Sequence, residues 1–480
     1  MTRNIRNIIL SVLLLAIVTG CKFVTTSREI TTAENMLRQG ELAKVMLISG
    51  DILKNNKLSD LEKSKIDSIQ EICHRITIDF TLSGSDILSS IAIYNPKADS
   101  TELLRLEKEH KIDMLVLDGK KQYFKSSVGN IFRLDSTYAR LKTKKNGSSV
   151  DSLSIFRIAH TTEVLKKSAS NGKPVIPVKM KLIYIIIVKA DAVPDGDTIR
   201  CWMPFPRESN PRQKEIRLIS TDPLTNKVSP TSNLQRTVYL EKRAVAHEPA
   251  VFKTEIEITS SAQSFQLTPE MIQPYKKETL LYRVNTSERG PQIIFTKEIK
   301  LLAKYILQDE TNPLLQIRKI YRWINDSVTW ASALEYSIMP DIPGFVMKNR
   351  HGDCGMQTML FMALARYSGI PVKWQSGWML HPGEVNLHDW CEVYYEGIGW
   401  VPLDQSFGLQ KSPEEKIRDF YVTGIDAYRL IVNDDFSQQL TPPKKYLRSE
   451  PYDFQRGEVE WKGGNLYFDK WSWHMKVTYQ

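Results

Sequence analysis

Cysteine is scarce, with five in 480 residues. None stands in a Cys-X-X-Cys pair, and the spacings of Cys73, Cys201, Cys354 and Cys391 form no disulfide framework. A stapled scaffold is therefore excluded, and a chain this long can build its cores without crosslinks. Cys201 and Cys391 sit in strand-like runs and read as small buried apolar residues. No cluster of histidine, cysteine and carboxylate has metal-ligand spacing, and no acidic cluster suggests a calcium site. Neither a metal nor any other cofactor is expected. Blocks of basic residues are missing too. The net charge of +10 is spread along the chain, which favours contact with anionic surfaces but makes no case for a nucleic-acid partner. Finally, the apolar run Ile8–Val18 is too short to span a bilayer comfortably.

What is present is the composition of a folded protein, 42% hydrophobic and 25% charged. The length suggests about two to four domains. Arg3 and Arg6 precede the short apolar run, and Thr19 and Gly20 supply the small residues of a cleavage site, so residues 1–20 read as a signal peptide. The string Val18-Thr19-Gly20-Cys21 resembles the bacterial lipobox. That resemblance implies a lipid on Cys21 and places the mature protein in the bacterial cell envelope, anchored to membrane on the exported side. The competing reading is an ordinary secretory signal with an incidental cysteine. Each buried methylene of an acyl chain contributes about 0.8 kcal/mol, so several chains anchor a protein. Lys22-Phe23-Val24 carries no acidic run, so nothing here selects the outer face.

Residues 21–175 read as mostly helical. Thr31-Thr32-Ala33-Glu34 has the form of a helix start with a capping box. After Asp60, the residues Ile66, Ile69, Ile72 and Cys73 give a second apolar stripe. Together they suggest paired antiparallel helices, somewhat like a tetratricopeptide unit but without a fixed period. Helical hairpins often bind partners, so this region is a candidate site for a protein partner. Asn146-Gly147-Ser148-Ser149 marks a loop-rich stretch. Residues 176–292 contain short β-branched and aromatic runs at 182–188, 197–204, 215–219, 237–241 and 252–258, separated by turn residues, which argues for an antiparallel β-sandwich. Helices return over 293–432, with Asn312-Pro313 placed as N-cap and first helical residue. Residues 433–480 form a C-terminal extension without readable chemistry.

Chemistry gathers in the fourth segment. After Gly352-Asp353-Cys354-Gly355, the residues Met356, Met359, Leu360, Ala363, Leu364 and Tyr367 fall at helical spacing, and Gly369 and Pro371 end the helix. Cys354 thus opens a buried helix with Asp353 as N-cap. The positive end of the helix favours thiolate over thiol. Next, His388-Asp389-Trp390-Cys391-Glu392-Val393-Tyr394-Tyr395 reads as a strand with His388 at its first position. Gly397-Ile398-Gly399 turns the chain, and Trp400-Val401-Pro402-Leu403 returns to Asp404. A hairpin of this length brings His388 and Asp404 to one end, where a carboxylate can orient an imidazole. Singly, each residue is an ordinary core cysteine, strand-end histidine or turn aspartate. In this order and local structure they read as nucleophile, base and orienting acid. Cys391 points to the opposite face from His388 by strict alternation, and His351 reads as a loop histidine.

These four stretches, with Tyr367-Ser368-Gly369-Ile370-Pro371-Val372, resemble the transglutaminase-like superfamily over roughly residues 295–410. The resemblance implies a papain-like α+β core that presents Cys354 to a sheet bearing His388 and Asp404. The whole is then an α+β multidomain chain: a helical N-terminal region, an antiparallel β-sandwich and a papain-like transglutaminase core. The resemblance also implies a thiol-dependent amide or peptide hydrolase acting on a peptide or protein through a thioester. The alternatives are a cross-linking acyltransferase and a non-catalytic envelope binding protein that retains the fold. For the oxyanion, the backbone N–H of Cys354 and the side chain of Trp330 are the candidate donors, with a core role the competing reading for Trp330.

Overall fold

Helix capping sets the first boundaries. The computed structural model describes residues 27–55, 58–147, 151–168 and 172–480, and it divides into two units at Val128/Gly129. The signal segment and Cys21 lie outside the described residues. The first unit opens with helices α1 (27–38), α2 (Leu42–Asn55) and α3 (Asp60–Asp79). Ser59 caps α3: its hydroxyl accepts from the Glu62 N–H, and the Glu62 carboxylate accepts from the Ser59 N–H. Ile66, Ile69 and Cys73 are the buried stripe of α3, which packs against α2. Thr31 and Thr32 do not start a helix. They lie inside α1, and their hydroxyls donate one turn back to the carbonyls of Ser27 and Arg28. Strand β1 (Phe80–Leu82) precedes helices α4 (Gly84–Ala92) and α5 (Ser100–Lys108), β2 (Met114–Leu117) and β3 (Lys120–Phe124) follow them, and the three form a small antiparallel sheet in the order β1-β3-β2. Strands of three to five residues are too short for periodicity to reveal.

Helix α6 (Ser127–Leu134) runs across the division between the units, and α7 (Ser136–Asn146) and α8 (Ser152–Lys167) follow in the second. Of the stretch expected to be loop-rich, Asn146 ends α7 and Gly147 caps it, while Ser148 and Ser149 lie outside the described residues; Asp151 then accepts from the Ser154 N–H to start α8. Six strands follow: β4 (Val175–Val188), β5 (Thr198–Pro204), β6 (Gln213–Asp222), β7 (Asn226–Val228), β8 (Thr237–Arg243) and β9 (Ala250–Ser264). Alternation is visible in β4, where Met180, Leu182, Tyr184, Ile186 and Val188 are buried. They share one core with Cys201 and Met203 of β5 and Val238 and Leu240 of β8.

The helices α9 (Leu280–Thr286), α10 (Lys297–Leu307) and α11 (Pro313–Ser327) lead to the segment of interest. Asn312 caps α11 by accepting from the N–H groups of Leu314 and Leu315, with Pro313 at the first position. Then come β10 (Thr329–Trp330), α12 (Ile342–Asn349), β11 (His351–Gly352) and α13 (Cys354–Tyr367). Every residue of α13 from Gly355 to Arg366 is buried, as a helix enclosed on all sides requires. It lies against an antiparallel sheet in the order β14-β13-β12-β16, made of β12 (Val372–His381), β13 (Glu384–Tyr395), β14 (Gly399–Leu403) and, after the short α14 (Glu415–Arg418) and β15 (Gly424–Ile425), β16 (Arg429–Asn433).

Residues 433–480 complete the sandwich rather than trailing from the core. They supply β17 (Glu458–Trp461) and β18 (Gly464–Leu466), which extend one sheet to β18-β17-β5-β8-β7. Strand β19 (Trp471–Tyr479) pairs with β4 along its length in the other sheet, ordered β15-β9-β4-β19 with β6 also on β9. Trp378 and Leu380 of β12 and Leu430 and Val432 of β16 pack into the sandwich core, so the sheet beneath α13 is braced by the sandwich on its far side.

Candidate active site

The nucleophile candidate is placed by a helix start. Asp353 is extended (φ −82°, ψ −167°), and its carboxylate accepts from the Met356 N–H at 3.1 Å and from the Tyr336 hydroxyl. Cys354 is then the first helical residue, where backbone N–H groups lack intrahelical partners. Gly355 keeps the approach open. A Cβ there would stand 2.3 Å from the Tyr336 hydroxyl and 2.6 Å from Asp389 Oδ2.

The histidine is placed by two hairpins. Strand β13 begins at Glu384, so His388 is its fifth residue and not its first. The reason is the tight turn at Pro382-Gly383, with Gly383 at φ +85°, which pairs Glu384 with His381 and His388 with Gly377. The second hairpin pairs Cys391 with Leu403 and Tyr395 with Gly399. Its far end sets His388 Nε2 2.8 Å from Asp404 Oδ2. The same carboxylate accepts from Arg429 Nε and Nη2 at 3.1 and 2.9 Å, and from the Phe407 N–H at 3.2 Å. All of these groups except Phe407 are buried. The His388 ring lies 5.0 Å from the ring of Phe407 and stacks on Trp390 at 6.0 Å.

Alternation along β13 decides what meets the thiol. Cys391, Val393 and Tyr395 face the core that holds α13, whereas Trp390 faces Ile425 and Ile431. Asp389 shares the α13 side, and its Oδ2 is 3.5 Å from Cys354 Sγ. The thiol hydrogen bond therefore runs to Asp389. The structure brings His388 and Asp404 into direct contact and leaves Cys354 and His388 without a hydrogen bond between them. Gln455 ties the two neighbours together, its Nε2 donating at 2.7 Å to the His388 carbonyl and at 2.7 Å to Asp389 Oδ1.

Electrostatics follow burial. Burial pushes the Cys354 thiol well above the usual cysteine range, and the carboxyls of Asp389 and Asp353 push the same way, with a partly offsetting hydrogen bond from the Asp389 backbone. These effects oppose the helix-terminus effect expected from sequence. Burial lowers His388 below the usual histidine range, against the pull of Asp404. For Asp404, burial acts upward, but the charges and hydrogen bonds of His388 and Arg429 outweigh it and hold the carboxyl low. Burial raises Asp389 strongly, with Asp453 and Asp353 adding, and raises Asp353 to about 6. These shifts favour a thiol at Cys354, a neutral imidazole at His388 and an ionised Asp404, whose charge the Arg429 guanidinium balances.

A cavity of about 210 Å³ opens beside the thiol, lined by Trp330, Tyr336, Asp353, Cys354, Asp389 and Arg456 among others. Trp330 is 42% exposed and carries the Arg133 guanidinium 5.1 Å from its ring centroid, so it is a cavity wall and not a core residue. His351 is 2% exposed on β11, packed edge-on against Phe345 at 5.4 Å. It is a core histidine and not a loop one. Three contributors escaped sequence reasoning. Alternation could have found Asp389. No local signal marks Gln455 or Arg429, which arrive from the chain beyond the hairpins. Among the described residues, no group of three or more His, Cys, Asp or Glu side chains is placed to hold a metal, and no helix is long and apolar enough to cross a membrane.

Residues 300–405 match the family model described as the transglutaminase-like superfamily. Comparison with curated proteins gives no match. Similar solved structures include a candidate cysteine protease from Cytophaga hutchinsonii, at 15% identity over 64% of this chain and 91% of that one, with a TM-score of 0.44. Another is the periplasmic domain of TgpA from Pseudomonas aeruginosa, at 14% identity over 54% and 93% of the two chains and a TM-score of 0.24. A candidate protease from Parabacteroides distasonis is 11% identical over 56% of this chain and 47% of its own, with a TM-score of 0.21.

Proposed function

We propose that this chain, whose residues 300–405 match the transglutaminase-like family model, is a thiol-dependent amide or peptide hydrolase with Cys354 as nucleophile, His388 as base and Asp404 as orienting acid. The observation that carries this reading is a buried His388–Asp404 pair on the sheet that packs against α13, the buried helix that Cys354 opens beside a cavity. With Nε2 engaged by Asp404, Nδ1 is the nitrogen left for the thiol. Acylation then requires the thiol to leave Asp389 for His388. The Sγ proton passes to Nδ1 as sulfur attacks the amide carbonyl. The C–N bond breaks, the imidazolium returns its proton to the leaving amine, and a thioester remains. Water attacks that thioester, giving its proton to His388, and the carboxylic acid and free thiol are restored. An amine in place of water would give a cross-link by the same steps.

The test is labelling by a thiol-directed active-site probe. Wild type is expected to label at Cys354, and Cys354→Ala to lose the label with its fold intact by circular dichroism. Equal labelling of Cys354→Ala would overturn the reading. Peptide-library digestion followed by mass spectrometry, with and without an added alkylamine, then identifies the bond cut and separates hydrolysis from transfer.

Two further outcomes are expected of the exported protein. Mass spectrometry of the mature N-terminus should find acyl chains on Cys21, and an unmodified N-terminus elsewhere would sink the envelope anchor. Cys73, Cys201, Cys354 and Cys391 are all free thiols in the structure. Alkylation mapping of native protein should accordingly recover Cys354 unpaired, and a stable disulfide there would leave no nucleophile.

A further inference from the structure

The cavity beside Cys354 contains a carboxyl that the proposed triad does not use. Asp389 is 1% exposed, lines the cavity, and sets Oδ2 3.5 Å from Sγ. Its other oxygen, Oδ1, accepts from Gln455 Nε2 at 2.7 Å. A carboxyl so held has a definite proton position. Oδ1 is occupied as an acceptor, so a proton on the group sits on Oδ2, toward the thiol and the cavity.

We propose that Asp389 is a catalytic residue that donates a hydrogen bond from Oδ2 to the oxyanion formed when Cys354 attacks a carbonyl. The proposal rests on Cys354 being the nucleophile. In the tetrahedral intermediate the oxyanion and Sγ share one carbon, so a donor adjacent to Sγ on the cavity side stands within reach of that oxygen. No proton need transfer: the O–H bond of Asp389 stays intact, and the donor interaction strengthens as charge develops on the carbonyl oxygen. The groups that face Asp389 favour the protonated form. Cys354 and its N-cap Asp353 meet it at the start of α13, and Asp453 and Glu450 from the chain before β17; burial first, and then these carboxyls, push its pKa up and so favour the neutral form. Tyr336 closes another side with its hydroxyl committed to Asp353, and Arg456 is committed to Glu335 and Glu450 at 2.6 and 2.5 Å. A carboxylic acid kept neutral by an apolar or anionic site can serve as an oxyanion donor.

The experiment compares two reactions at one sulfur. p-Nitrophenyl acetate acylates the thiol through an oxyanion, whereas iodoacetamide alkylates it by displacement and forms none. In Asp389→Ala the ratio of acylation to alkylation rates should fall by roughly 10²–10³, the usual cost of removing one oxyanion donor. In Asp389→Asn the amide can accept from Gln455 through oxygen and donate from nitrogen at the Oδ2 position, so the ratio should stay within about tenfold of wild type. As pH rises and Asp389 ionises, the wild-type ratio should decline, and in Asp389→Asn it should not. Circular dichroism confirms the fold of each variant, and the isosteric Asn variant carries the test if the Ala variant does not fold. Equal loss of both rates in Asp389→Ala, an unchanged ratio, or the same pH dependence in wild type and Asp389→Asn each overturns the donor role. Persistence of both reactions in Cys354→Ala instead sinks the nucleophile itself, an outcome separate from any result at Asp389.

Discussion

His388→Ala is expected to abolish acylation of Cys354, whereas Asp404→Asn is expected to leave a residue of activity. The imidazole must take the thiol proton and return it to the leaving amine, and no other described base hydrogen-bonds to Asp404. The carboxylate fixes and stabilises the ring without exchanging a proton, and in comparable triads its amide variant loses around 10⁴ in rate. The measurement is the burst of p-nitrophenol from p-nitrophenyl acetate at equal concentrations of folded protein. Stability must be followed alongside, because the structure makes the two changes unequal there as well. Removing the His388 ring deletes packing on Phe407 and Trp390. Asp404→Asn leaves Arg429 buried with less compensating charge. His351→Ala serves as the control. It deletes a core ring against Phe345 and should lower the melting temperature without removing acylation. A folded His388→Ala protein that acylates near the wild-type rate would refute the base, and loss specific to His351→Ala would move that role.

Local patterns carried a good part of this site. The caps at Asn312 and Asp353, the buried helix after Cys354 and the hairpin joining His388 to Asp404 each depend on residues within about one turn or one hairpin of each other, so they are legible in order along the chain. The sandwich strands were legible for the same reason, because alternation in β4, β5 and β9 is a short-range signal. What failed is long-range. Strand β19 pairs with β4 across nearly the whole second unit, and its alternation of exposed and half-buried residues names no partner. Gln455 reaches Asp389 across 66 positions, and Arg429 reaches Asp404 across 25. A glutamine or arginine in a loop or strand has no spacing that announces its partner. Asp389 is the instructive miss. It sits inside the quoted motif, and the alternation that sent Cys391 to the face opposite His388 sends Asp389 there too.

Arg429→Gln is expected to cause the largest loss of stability among these changes and to lose activity through Asp404. Arg429 is wholly buried at the start of β16, between two carboxylates, with Asp404 at 2.9 Å and Asp426 at 3.2 Å. Its guanidinium also lies 3.7 Å over the Phe407 ring, which a shorter neutral side chain cannot cover. Removing one partner of a buried ion pair typically costs about 3–5 kcal/mol, because the charge left behind remains desolvated. The pH dependence distinguishes this from lost packing. In the folded protein Asp404 is held below the usual carboxylate range. A depressed carboxylate contributes stability that is fully present above its unfolded pKa of about 3.9 and is lost as pH falls through the folded value. The deficit of Arg429→Gln relative to wild type should therefore be greatest near neutral pH and shrink as pH falls below about 4, measured by urea denaturation across that range. Packing loss alone would give a deficit independent of pH. Arg429→Lys restores the charge but not the two parallel N–H groups on Asp404 Oδ2, so it should recover part of both stability and acylation. If Arg429→Gln folds with wild-type stability at neutral pH and acylates normally, the guanidinium neither balances Asp404 nor holds His388 in place.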